Sequence, residues 1–434
     1  MALFKKKLKD NRSRVCVIGL DGVPHTLLLE LARTGVMPFM SQLIGSGHLH
    51  RLKASLPEIS AVSWTDFMTG RDSGTHGIFG FTDFKAGSYT LRFPNFRDLQ
   101  TETFWDLLGR MGKSCIIINQ PSTYPVRPIN GVLISGFVAL DLARGVYPSS
   151  ILAPLERMGY RIDIDTLRAR EDLDFLWQEL EVTLAGRKKA FQYFWPQEWD
   201  YFEFVITGTD RLHHFLWNAF QEEDHPHHHR FVDYYREIDE TLKTIVSSFR
   251  ELTGGDDGLY LLSDHGFCGI EQEFYLNAWL EREGYLKFAS ATPQGLEDIA
   301  PGSLAFALDP GRIYLNAQGR FPRGAVSEAE REPLKKEIAE KLGRLEFEGK
   351  RVIRQIFDAS EVYTGPLVSR GPDLLIVSKA GFDLKGSVKK KEVFGRTSLQ
   401  GMHTWDDAFF WANRPCGEDL AIRSLASLIL EDYH

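Results

Sequence analysis

The sequence predicts an α/β fold: a mostly parallel central sheet with helices on both faces and a small inserted cap subdomain. Wholly apolar runs, amphipathic patterns between them and one stretch of different texture predict it. "VCVIGLDG" (15–22) is an apolar run ending in a carboxylate and a glycine, and such a run reads as a strand buried on both faces of a parallel sheet. "HTLLLELARTG" follows as a helix stopped by glycine. "SCIIINQP" (114–121), "GVLISGF" (131–137), "FEFVITGTD" (202–210), "GLYLLSDHG" (258–266) and "PDLLIVS" (372–378) repeat the strand pattern. The segment 171–195 places Leu173, Leu176, Trp177, Leu180 and Leu184 on one helical face. Strands alternating with helices imply a sheet covered on both sides. From about 285 to 350 the texture changes: "DPGRIYLNAQGRF" reads as short strands, and "SEAEREPLKKEIAEKLGRL" opens with a Ser-x-x-Glu capping box before an amphipathic helix. This stretch is the expected cap; 14–284 and 351–434 form the expected core, with a helical insertion at about 138–200.

The chain has 434 residues and a formal net charge of −8. That balance offers no general basic face for nucleic acid. No run reaches the roughly 18 apolar residues of a membrane helix. The start, "MALFKKKLKDNRSR", lacks the apolar stretch of a signal peptide. Cys16, Cys115, Cys268 and Cys416 are far apart with no CxxC pair, as in a protein with reduced thiols. A cytoplasmic protein acting on a small molecule is expected.

Ligands of open α/β sheets bind at the carboxyl ends of the strands. Three such ends carry metal-type side chains: Asp21, Asp210 and the pair Asp264-His265. His214 follows Asp210 by four residues, so on a helix the two share a face. Aspartate and histidine together suit zinc, with manganese and iron as rivals. One aspartate at a strand end would ordinarily cap the next helix. Three together, with Ser60 placed before the apolar pattern of 61–68, point to a metal site. "GLDGVP" supplies no GxGxxG turn, which argues against a dinucleotide site.

The ordered motifs "GLDG", "PEISAVSWTDFMTGRDSGTHGIFGF", "TDRLHHFLW", "LLSDHGF" and "GMHTWDDAFFWA" cover the chain from about 14 to 430. Together they resemble the alkaline phosphatase superfamily, most of all its type I phosphodiesterase/nucleotide pyrophosphatase branch. The resemblance implies two divalent metal ions, Zn2+ with Mn2+ as the rival. Asp21, Asp264 and His265 would hold one, with Ser60 as a hydroxyl ligand; Asp210, His214 and His403 would hold the other. His213 is the fallback for His214. Ser60 falls at the family's nucleophile, which implies hydrolysis of a phosphodiester or pyrophosphate through a phospho-serine, with a monoesterase, a mutase or an inactive phosphate-binding member as alternatives. Ser63, Trp64, Arg71 and Arg211 are the candidate substrate contacts. Ser60 is not followed by x-Pro-x-Arg, so sulfatase chemistry is excluded.

Overall fold

The computed structural model describes residues 13–433; the lysine-rich start read above for a signal peptide lies largely outside them. An eight-stranded sheet runs in the order His48–Leu52, Ala408–Ala412, Leu259–Leu262, Val15–Leu20, Tyr201–Ile206, Cys115–Gln120, Gly131–Ser135, Val146–Tyr147. The strands from Leu259–Leu262 to Gly131–Ser135 are mutually parallel, and the outer pairings are antiparallel. In the first strand Cys16, Ile18 and Leu20 enter one hydrophobic cluster while Val15 and Val17 enter another. That split is the side-chain alternation of a strand whose two faces are both covered.

One face is covered by the helices Leu173–Phe194 and His228–Thr253, the other by Ser60–Thr69, Phe104–Arg110 and Leu425–Glu431. Leu176, Trp177, Leu180 and Leu184 form the buried stripe of the first, and Asp172 caps its start by accepting from the Phe175 N–H at 2.9 Å. No described helix is long and apolar enough to cross a membrane.

A second, four-stranded sheet is antiparallel: Ala305–Leu308, Arg312–Leu315, Leu374–Ser378, Ile353–Asp358. "PDLLIVS" is therefore a strand of this sheet and not of the central one. Its unbroken apolar run has the same physical origin as in a parallel strand. Leu374 and Ile376 face one cluster, Leu375 and Val377 another. The helix Glu328–Gly343 starts at a capping box between Ser327 and Glu330 and lays Leu334, Ile338 and Leu342 against this sheet's core. That core gathers Tyr89 and residues between Phe274 and Val393, so it extends past 285–350 on both sides.

Candidate active site

Three adjacent parallel strands end at one place. Val15–Leu20 leads to Asp21, and Leu259–Leu262 leads to Asp264 and His265. Tyr201–Ile206 leads into the helix Gly208–Gln221, whose first turn carries Asp210 and whose next turn carries His214. Gly22 turns with φ 67°, and a Cβ there would meet His265 Cε1 at 3.1 Å and Asp210 Cβ at 3.2 Å; only glycine lets the strands converge so closely. His403 arrives from the far end of the chain. It lies on the short strand Gly401–Thr404, paired opposite Phe267 of Gly266–Gly269. Ser60 opens the helix Ser60–Thr69. The first N–H groups of a helix have no intrahelical acceptor, so this end carries partial positive charge beside the hydroxyl.

The side chains are held so that one atom of each faces a common space. Asp21 Oδ2 accepts from the Trp64 indole at 2.9 Å, Asp264 Oδ1 from the Gly22 N–H at 3.0 Å, and Asp210 Oδ2 from Arg211 at 2.6 Å. The opposite oxygens of Asp210 and Asp264 are buried with no hydrogen-bond partner. Each imidazole is tied by Nδ1 to a carbonyl: His214 to Gly401 at 3.1 Å, His265 to Gly266 at 3.0 Å, His403 to Glu58 at 2.9 Å. Each Nε2 is thereby turned inward, and against burial the contact of His403 Nε2 with Asp210 Oδ1, at 3.2 Å, holds the His403 imidazole above its ordinary value. His214 Nε2 and His403 Nε2 lie 3.0 Å apart, and Ser60 Oγ lies 3.1 Å from His265 Nε2 and 3.3 Å from Asp21 Oδ1. Ligand atoms of Asp21, Asp264 and His265 fall within 4.8 Å of one another, as do those of Asp210, His265 and His403. His214 Nε2 faces the latter group, 3.5 Å from Asp210 Oδ1.

Burial pushes the Asp21 carboxyl well above its ordinary range, and Asp264 and Asp210 add to the effect. Burial also raises Asp264, to about 7, against the Gly22 N–H and with Asp210 adding. Burial drives His265 well below its ordinary value and His214 to about 3. Asp210 runs the other way: against burial, His214, His403 and Arg211 hold it well below the carboxylate range. Dry carboxylates with orphaned oxygens beside imidazoles with inward Nε2 atoms make a poor set of mutual partners. They are a good donor set for divalent cations, whose charge relieves each of these costs.

The expected ligand residues are thus brought together. His213 is not among them, since its nitrogens contact the Gly22 carbonyl at 2.9 Å and the Tyr235 hydroxyl at 2.7 Å. The four expected substrate contacts lie apart from the cluster or face partners within the fold. Arg71 is exposed beyond the far end of the Ser60 helix, about 15 Å of helix away from Ser60. Ser63 is fully buried and accepts from the Ser55 N–H at 3.2 Å. Trp64 is fully buried and holds Asp21. Arg211 is spent on Asp210 and on Asp163, at 2.6 and 2.7 Å. Groups not singled out from the sequence border the site instead. Lys385, held by Asp383 at 2.6 Å, and Phe81 line the cavity of about 240 Å3 that contains His214 and His403.

A parallel sheet with carboxylates and imidazoles gathered at its strand ends and a serine at a helix start is an alkaline phosphatase-like arrangement. The sequence profile of the type I phosphodiesterase / nucleotide pyrophosphatase family matches residues 15–406, and the chain belongs to that family. No curated protein matches by sequence. Among solved structures, phosphonoacetate hydrolase from Sinorhizobium meliloti 1021 in complex with phosphonoacetate is similar, with a TM-score of 0.66 at 14% identity over 98% of this chain and 96% of that one. Murine ectonucleotide pyrophosphatase / phosphodiesterase 5 in complex with AMP gives 0.55 at 12% identity, over 97% and 95%. At these identities the likeness is one of fold.

Proposed function

We propose that this protein is a two-metal phosphoesterase that cleaves a phosphodiester or pyrophosphate bond through a phospho-Ser60 intermediate. The observation that carries the reading is the shared orientation of the site: three imidazoles anchored by Nδ1, with Nε2 turned toward the orphaned oxygens of Asp210 and Asp264. Asp21, Asp264, His265 and Ser60 would hold one ion, and Asp210, His214 and His403 the other; Zn2+ suits this set, with Mn2+ as rival. Such ions, when bound, stabilise an alkoxide and neutralise phosphoryl charge.

The chain's own groups do the rest. The strand ends hold Ser60 Oγ against His265 and Asp21. Ser60 would give up its hydroxyl proton and Oγ bond to phosphorus as the bond to the ester oxygen breaks, that oxygen taking a proton as it leaves; water would then add its OH to phosphorus and return a proton to Oγ as the phospho-serine bond breaks. The positive end of the Ser60 helix would favour the negative charge on the phosphoryl oxygens. A diester is favoured because the charge available beyond the ligands is small. Lys385, which lines the cavity, is already paired with Asp383. A monoester dianion would call for a free bidentate arginine, and Arg211 is committed to two aspartates.

The test is turnover of bis-p-nitrophenyl phosphate against p-nitrophenyl phosphate with Zn2+ or Mn2+ added. Faster diester cleavage is expected. Preference for the monoester would overturn the diester assignment, and no turnover of either would overturn the enzyme reading.

A further inference from the structure

A cavity of about 570 Å3 shares no lining residue with the one that holds His214 and His403. The hairpin of Asp83–Phe84 and Leu91–Arg92 makes one wall. The turn Phe96–Asp98 and the turn Val368–Arg370 contribute to the others. Phe84 and Phe321 supply an aromatic floor, their rings edge to face with centroids 5.4 Å apart. The volume is that of a small-molecule site.

The charge of this lining runs against that of the chain. Lys85, Arg92, Arg320 and Arg370 stand against two carboxylates, Asp83 and Asp98, in a protein with a formal net charge of −8. Asp83 is buried, and its Oδ1 accepts from the Phe84 N–H at 2.8 Å. Its Oδ2 faces two guanidinium groups, Arg92 at 3.2 Å and Arg370 at 3.6 Å. Asp98 takes up Arg92 at 2.8 Å. Arg320 acts as a strut: it donates to the carbonyls of Arg370 and Gly371 at 2.7 and 2.6 Å, and so fixes the turn that carries Arg370. Asp373, 3.5 Å from Arg320, is matched by Arg331 at 2.8 Å. Two cations remain uncompensated. Among the described residues, the Arg370 guanidinium makes no hydrogen bond, and the Lys85 ammonium makes neither a hydrogen bond nor an ion pair. A lone surface cation is ordinarily just solvated, and exposed pairs are weak. Here both free groups border one concavity with a third guanidinium and an aromatic floor.

We propose that this cavity binds a small phosphate monoester in its dianionic form, at a place separate from the metal cluster. Two uncompensated positive charges match a dianion. The planar fork of Arg370 suits two phosphoryl oxygens, and Lys85 supplies a point charge to the third. A diester, with one negative charge and one terminal oxygen fewer, is a poorer match. The remainder of the ligand lies on Phe84 and Phe321. The site stands independently of the phosphoesterase reading of Ser60.

The probe is phenylphosphonate at mildly alkaline pH, a dianion with no ester bond to cleave, titrated by calorimetry into the unaltered protein supplied with Zn2+. Its monoanionic methyl ester is the comparator, and a soaked crystal locates the phosphonate. The phosphonate is expected between Lys85, Arg92 and Arg370. The double variant Lys85→Glu/Arg370→Glu changes exposed positions only. It is expected to raise the dissociation constant of this site by roughly tenfold or more, while turnover of bis-p-nitrophenyl phosphate stays within about twofold. Phosphonate at the metal cluster alone, binding unaltered in the double variant, or equal affinity for the methyl ester each overturns the proposal. Turnover lost together with phosphonate binding in the double variant would make the site part of the catalytic machinery and overturn its separateness. Failure of the enzyme reading is seen elsewhere, as absent turnover in the unaltered protein; phosphonate held by Lys85 and Arg370 in that protein would still support this site.

Discussion

Around Ser60, three buried carboxylates and three imidazoles crowd together; next to them, Ala61, Phe81 and Phe137 face an apolar cavity. The first side is built by secondary structure. Adjacent strand ends and the first turns of a helix fix each side chain, and a backbone carbonyl fixes each histidine. The second side, apart from the helix face, is built by loops around 81, 93–99, 122–125 and 137–144. The contrast separates two demands. Chemistry at phosphorus needs fixed donors with little freedom, whereas choice among substrates can be left to the shape of connecting segments.

The comparison breaks most sharply at Ser60. Ser60→Ala is expected to lower kcat by about a thousandfold or more, as for other covalent nucleophiles, while the ligand set still holds metal. Retained turnover would move the chemistry off the serine. Asp264→Asn and His214→Ala act on the other property. Each is expected to lose bound metal, read as equivalents per chain by mass spectrometry, and full metal content in both would show that the ligands are placed wrongly. Arg211→Lys is a subtler probe. Arg211 touches Asp210 Oδ2 and leaves Oδ1 to face the cluster, so it is a positioning residue. Its replacement is expected to weaken metal affinity by about 10- to 100-fold in competition with a chelator. Unchanged affinity would leave it a structural partner of Asp163. The smallest effect belongs to Arg71→Ala, expected to leave KM and kcat within about twofold, because surface changes remote from a site rarely matter. A large rise in KM would restore Arg71 as a phosphate contact.

Much of the polar side was legible because parallel strands announce themselves. An unbroken apolar run such as "VCVIGL" or "LYLL" requires two covered faces, and the polar residue that ends it is delivered to the sheet's carboxyl edge. Asp21, Asp264 and His265 follow from that rule, and Asp210 with His214 from the helix period. His403 does not: its place depends on pairing between Gly401–Thr404 and Gly266–Gly269, more than a hundred residues apart. Trp64, expected as a substrate contact, is packed inside the fold and holds Asp21. The pointer lay in Gly19, a glycine inside a buried strand, where a Cβ would stand 2.6 Å from the indole ring; such a glycine marks close approach by another group. Arg71 and Arg211 were selected for charge alone, and charge says nothing of partners such as Asp163, which lies 48 residues away in the chain. The apolar cavity left no trace in the sequence because no local period links Phe81, Phe93 and Phe137.

One measurement bears on the central claim most directly. Metal content and bis-p-nitrophenyl phosphate turnover would be determined side by side on the unaltered protein and on Ser60→Ala. The account predicts about two metal equivalents in the unaltered chain, metal retained in the variant, and turnover in the unaltered chain alone. Turnover in Ser60→Ala, or turnover by a chain that binds no metal, would contradict it.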